Sequence, residues 1–134
     1  MPDLRFQRAG AACAVVKNDG KTTLMVIGGT CLLSYTCHKQ TEIYELDDYI
    51  LCNRWKIGPS IKIGGWSRGA YITYPDERGL ILIGSHPHPK AGDLSNKIIH
   101  YNESTKSFVE LKGGLKESRQ EETAIYVPEG LLNL

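Results

Sequence analysis

The stretch Leu24-Met25-Val26-Ile27-Gly28-Gly29 decides the fold, because it opens a series of landmarks that the chain repeats. Glu42-Ile43-Tyr44-Glu45-Leu46 and Arg54-Trp55-Lys56-Ile57-Gly58-Pro59 complete one cycle. The next cycle reads Leu80-Ile81-Leu82-Ile83-Gly84-Ser85, Lys97-Ile98-Ile99-His100-Tyr101-Asn102 and Ser107-Phe108-Val109-Glu110-Leu111. Gly28 to Gly84 is 56 positions, Tyr44 to Tyr101 is 57, and Trp55 to Phe108 is 53. A drifting period of about fifty residues, built from short apolar runs, is the mark of a repeat array. A single unit cannot bury its own apolar faces, so its neighbours must.

The apolar runs are short and rich in Val, Ile, Tyr and Thr, which predicts strands and no helix. The first cycle places them at Gly10–Val16, Thr23–Gly28, Thr41–Leu46 and Arg54–Ile57. The second places them at Gly69–Tyr74, Leu80–Gly84, Asn96–Asn102 and Ser107–Leu111, and Thr123–Val127 opens a third cycle. Asn18-Asp19-Gly20, Pro75-Asp76-Glu77-Arg78-Gly79 and Asn102-Glu103-Ser104-Thr105-Lys106 carry the residues that reverse a hairpin. Four antiparallel strands per cycle make one sheet. Leu80-Ile81-Leu82-Ile83 is apolar at every position, so both faces of that sheet should be covered.

Composition narrows the function. With 41% hydrophobic and 23% charged residues, the chain reads as globular rather than disordered. A net charge of +1 argues against nucleic acid, which calls for a strongly basic face. No apolar run approaches the roughly 18 residues needed to cross a bilayer, so no membrane insertion is expected. Asp3, Arg5 and Arg8 interrupt the N-terminus, so a secretory signal is not expected, and the cytoplasm is favoured over the extracellular space. Cys13, Cys31, Cys37 and Cys52 all fall in the first cycle. A framework of disulfides would staple both cycles, so four reduced, packed thiols are the expectation. A Cys31–Cys37 bridge is the oxidised alternative.

These landmarks resemble the kelch repeat of β-propellers. In that family an apolar strand closes on a Gly-Gly doublet, a Tyr stands in the third strand and a Trp in the fourth. Gly28-Gly29, Tyr44 and Trp55 match all three. Gly84, Tyr101 and Phe108 match in the second cycle, with Ser85 for the second Gly and Phe108 for Trp. Arg8, Arg68 and Arg119 stand where the family tends to place an Arg before each first strand. The resemblance implies an all-β protein of kelch-type blades, two four-stranded antiparallel blades and one further strand. The blades would span residues 8–59 and 68–111, with the first strand of a third at 119–128. Propellers close with four to eight blades, so the expectation is an incomplete propeller, a piece of a longer one.

Strand alternation sorts the connections between the two ends of such a stack. Thr30–Gln40, Pro59–Ser67, Ser85–Ser95 and Lys112–Ser118 share one end, and they are long and varied. Long loops on a rigid scaffold are where binding concentrates. The candidate partner-binding residues are Tyr35, His38 and Lys39, Trp66 and Arg68, and His86, His88 and Lys90. The plain alternative for each is an ordinary solvated loop. His86 and His88 could ligate a metal, but no third ligand is spaced nearby, so no metal is assigned. Arginines at the mouth of the central channel grip acidic peptides in some kelch receptors, which would suit Arg8, Arg68 and Arg119. Their structural alternative is to satisfy backbone carbonyls between blades.

No nucleophile elbow, Ser-His-Asp order or phosphate loop is present in the sequence. The expectation is a non-enzymatic scaffold without a cofactor that binds a protein or peptide, an acidic one included. Two alternatives remain. One is part of a kelch-propeller enzyme such as a copper oxidase, and the other is purely structural blades with the binding surface elsewhere.

Overall fold

Asp19 and Gly20 both take positive φ, 53° and 73°, and they reverse the chain between β1 (Ala12–Asn18) and β2 (Lys21–Ile27). Such a two-residue turn matches the twist of the strands it joins. Asn18 accordingly pairs with Lys21, and the ladder runs without a break to Ala12 opposite Ile27. The structure, a computed structural model, describes residues 2–31, 33, 34, 36–47, 54–61, 68–73, 79–85 and 95–118. Its remaining strands are β3 (Thr30–Cys31), β4 (Thr36–Cys37), β5 (Gln40–Glu45), β6 (Lys56–Ser60), β7 (Ala70–Thr73), β8 (Leu80–Ser85), β9 (Ser95–Asn102) and β10 (Ser107–Glu110). There is no helix among the described residues.

Two four-stranded antiparallel sheets result, ordered β1-β2-β5-β6 and β10-β9-β8-β7. The eight strands expected from the two cycles are all present, with shifted ends. β1 starts at Ala12 rather than Gly10, and β6 runs past Ile57 through Gly58-Pro59 to Ser60. Pro59 is tolerated there because β6 is an edge strand among the described residues. Gly58 is required by close packing: a Cβ would lie 2.4 Å from Thr41 Oγ1 and 2.8 Å from Ile43 Cγ2. The expected strand Thr123–Val127 and Arg119 lie outside the described residues.

The sheets stack face to face, with β1 against β7 and β6 against β10. Ala12, Ala14, Val16, Met25, Ile27 and Ile43 from the first sheet meet Leu80, Leu82, Ile99, Tyr101 and Phe108 from the second, with Ile61 in the same cluster. Register shows that these two faces are not equivalent. Leu24 pairs with Tyr44 as Leu80 pairs with Tyr101, so the second sheet uses the face that carries Leu24, Val26, Tyr44 and Trp55 in the first. The first sheet contributes its opposite face. The stack is therefore head to tail, as expected of successive repeats.

The aromatic landmarks occupy matching places. Tyr44 and Trp55 rings stand 5.4 Å apart, and Tyr101 and Phe108 rings 5.0 Å apart, both pairs tilted. All four residues are buried. Polar clamps link the turns at one end: Lys17 N–H donates to Glu103 Oε1 at 2.8 Å, and the Lys106 ammonium pairs with Asp19.

Two outcomes are expected. Trp55→Ala removes a buried ring and the partner of Tyr44, and it should lower unfolding free energy by about 3–5 kcal/mol in denaturant titration. Burial, reinforced by the negative charges of Glu103 and Asp19, pushes the Tyr101 phenol from 10.0 up to about 12. The unfolded phenol ionises first, so its stabilising contribution is complete below about pH 10 and lost as pH rises through about 12. Tyr101→Phe should flatten that part of the alkaline stability profile.

Candidate functional site at the loop-bearing end

Ala12, Ile27, Ala70, Ser85 and Ser95 terminate their strands at one end of the stack, because Arg68 N–H donates to Gly10 O just before β7 and β1 begin and their partners run antiparallel. The connections Thr30–Gln40 and Ser85–Ser95 leave from that end. The first was expected as a loop and contains a short ladder, in which Thr30 faces Cys37 and Cys31 faces Thr36. It is anchored to the N-terminal segment. Ala9 N–H donates to Thr30 O at 3.0 Å, and Thr30 N–H donates to Ala9 O at 2.8 Å.

That N-terminal segment is held by a buried carboxylate. Glu42 sits in β5 between Thr41 and Ile43 and is wholly buried, on the face it shares with Val26 and Tyr44. Its Oε2 accepts from Arg5 N–H at 2.6 Å, and its Oε1 accepts from Phe6 N–H at 3.3 Å and from Arg8 Nε at 3.0 Å. Arg8 is as buried as its partner, with its side chain 1% exposed. Arg8 Nη1 donates to Gly28 O at 2.6 Å and Gln40 O at 2.8 Å, which ties both ends of the hairpin loop to one guanidinium. Nη2 is buried without a partner among the described residues. Arg8 thus satisfies backbone carbonyls, though both belong to the first repeat rather than lying between repeats.

Gly29 makes room for this arrangement. At φ 89° it bends the chain out of β2, and a Cβ on it would stand 3.0 Å from both Arg8 Cβ and Ala11 Cβ. In the second repeat Ser85 takes that position, at φ 156°, and is buried. Next to the ion pair, Arg8 lies 5.8 Å from the centroid of the Phe6 ring, which in turn lies 5.8 Å from His38. His38 Nε2 is 3.2 Å from Gln7 O, and His38 N–H donates to Gly29 O at 2.8 Å.

Of the partner-binding candidates, His38 and Lys39 stand at the base of the hairpin, half-buried and exposed respectively. Arg68 is exposed at the same end, at φ 55°, with its N–H donating to Gly10 O at 2.9 Å. The structure therefore brings His38, Lys39 and Arg68 to one end. Tyr35, Trp66, His86, His88 and Lys90 lie outside the described residues. Sequence reading missed three contributors. Glu42 was hidden in an apolar strand, although a carboxylate beside Ile43-Tyr44 was its signal. Phe6 gave no periodic signal. Leu33 is 84% exposed in the β3–β4 turn, the most exposed large apolar side chain among the described residues.

Cys31 is a free thiol rather than half of a bridge, and Cys13 is free as well. Hydrogen bonds from the Ser34 hydroxyl, then from the Ser34 and Leu33 amides, hold the Cys31 thiol below its ordinary range. Burial pushes the Cys13 thiol up. Among the described residues, no group of three or more His, Cys, Asp or Glu side chains could hold a metal ion. No helix among them is long and apolar enough to cross a membrane. No family model matches the chain, and no curated protein matches it.

Arg8→Ala leaves the Glu42 carboxylate buried without its cation and leaves two backbone carbonyls without their donor. The expected loss is about 3–5 kcal/mol of unfolding free energy. Arg8→Lys should recover little of it, because a point charge cannot serve a carboxylate and two separate carbonyls at once. Thermal melts of the three proteins check both statements.

Proposed function

We propose that this chain is a non-enzymatic recognition scaffold, made of kelch-type propeller blades, that captures a protein or peptide through its loop-bearing end. The observation that carries the reading is Leu33, held out into solvent at 84% exposure on a hairpin whose base is fixed. Leaving a leucine in water forgoes burial worth roughly 1.5–3 kcal/mol, which contact with a partner would recover. The hairpin is pre-organised for such contact, since the Ala9–Thr30 bridge and the Arg8 bonds hold both of its ends. His38 and Lys39 at the hairpin base, and Arg68 at the same end of the stack, add polar and cationic groups to this apolar tip. An apolar anchor inside a polar rim is the usual anatomy of a protein-binding patch.

Head-to-tail stacking and the paired aromatics support the kelch-type reading. Successive blades of a propeller must meet through unlike faces, and Tyr44–Trp55 and Tyr101–Phe108 repeat at equivalent places. Tyr35 and Trp66, with His86, His88 and Lys90, belong to the same set of connections in the sequence and lie outside the described residues.

The test is selection of a displayed-peptide library on the chain, with Leu33→Ser/Arg68→Ala as the counter-selected protein. Peptides enriched on the parent should bind the double variant at least about tenfold more weakly, with melting temperature nearly unchanged. Equal binding by the two proteins would move recognition away from this end.

A further inference from the structure

A second surface lies toward the opposite end of the first sheet, away from the loops. The N-terminal segment crosses that sheet and leaves an open cleft of about 470 Å³ between itself and the edge strand β6. Pro2, Asp3 and Arg5 line one side, and Arg54, Trp55 and Lys56 line the other. The two walls are fixed independently of any ligand. Glu42 holds the Arg5 backbone, and Trp55 Nε1 donates to Pro2 O at 2.9 Å while its ring packs on Tyr44.

Charge is distributed unevenly around this cleft. Several cations elsewhere are paired, Arg8 with Glu42, Lys97 with Glu110 and Lys106 with Asp19. Lys56 is committed to Glu45 at 2.8 Å. The Arg5 and Arg54 guanidinium groups make no hydrogen bond or ion pair with any described residue, and both residues line the cleft. Asp3 is its single lining carboxylate.

We infer that this cleft binds a phosphorylated serine or threonine on an extended segment of a protein partner, through Arg5 and Arg54. Two unpaired guanidinium groups lining one cleft complement two negative charges, and a phosphate monoester supplies about that many at pH 7 in one group. Planar guanidinium forks suit its oxygens, which accept two parallel bonds from each. The cleft is larger than a bare phosphate needs and open along β6, so flanking residues of a peptide fit beside it. Nucleic acid is disfavoured because Trp55 is buried, 6% exposed, and offers no ring face for a base to stack on. The inference concerns a different surface from the loop-bearing end and does not rest on that reading.

The experiment is binding of a degenerate phosphoserine peptide library to the whole chain, followed by affinity measurement on selected peptides. Each peptide is compared with its serine counterpart on the parent, on Arg5→Ala/Arg54→Ala and on the control Lys112→Ala. Phosphorylation should strengthen binding about ten- to a hundredfold on the parent and on the control. The gain should vanish in the double variant, whose melting temperature should match the parent because neither guanidinium bonds to the described fold. Absence of enrichment, or an equal gain in the double variant, would overturn the inference. Inorganic phosphate binding as tightly as the phosphopeptide would assign the cleft to the free anion instead. A single-stranded oligonucleotide binding more tightly than either would also overturn it.

Discussion

The buried pair of Arg8 and Glu42 is the interaction on which the rest of the first repeat depends. Two charges withdrawn from water cost several kcal/mol each, and their attraction repays that only with good geometry and full hydrogen bonding. Here Glu42 accepts three protein donors and Arg8 donates to two carbonyls besides its partner. Arg8 Nη2 is the one exception, buried without a partner among the described residues, but the pair also organises its surroundings. It fastens residues 5–8 over the sheet, closes the Thr30–Gln40 connection at both ends, and fixes one wall of the cleft beside Trp55.

This fastening solves a problem that head-to-tail stacking creates. Each sheet has two unlike apolar faces, and stacking two sheets buries only one face of each. In the first sheet the remaining face carries Val26, Tyr44 and Trp55, which are nonetheless buried because the N-terminal segment lies across them. The bond from Trp55 to Pro2 O and the bonds from Glu42 hold that cover in place. The cover is partial, and Val15 and Ile57 stay about half exposed.

The two proposed surfaces draw on this frame in different ways. The loop-bearing end offers an apolar tip, Leu33, with Lys39 and Arg68 at the same end, and depends on the hairpin being stiff. The cleft offers two unpaired guanidinium groups on opposite walls and depends on the N-terminal segment being fixed. One buried ion pair therefore stiffens both surfaces, though it lies in neither.

Much of the architecture was legible in the sequence for local reasons. Alternation in Ala12–Asn18, turn residues at Asp19-Gly20 and the doubled Gly, Tyr and aromatic landmarks act over a few residues, so they specify strands, hairpins and matching positions without distant information. Strand alternation likewise placed His38, Lys39 and Arg68 at one end. What the sequence could not show was which residue meets which across 34 positions of chain. Glu42 looks like a surface carboxylate until Arg8 is folded onto it, and Arg5 and Arg54 become neighbours only because the first segment crosses to β6. Leu33 looks like any loop leucine until the short β3–β4 ladder turns it outward. Local propensity is set by neighbours in the chain, whereas charge burial, cleft formation and exposure are set by neighbours in space. The tertiary structure alone decided those.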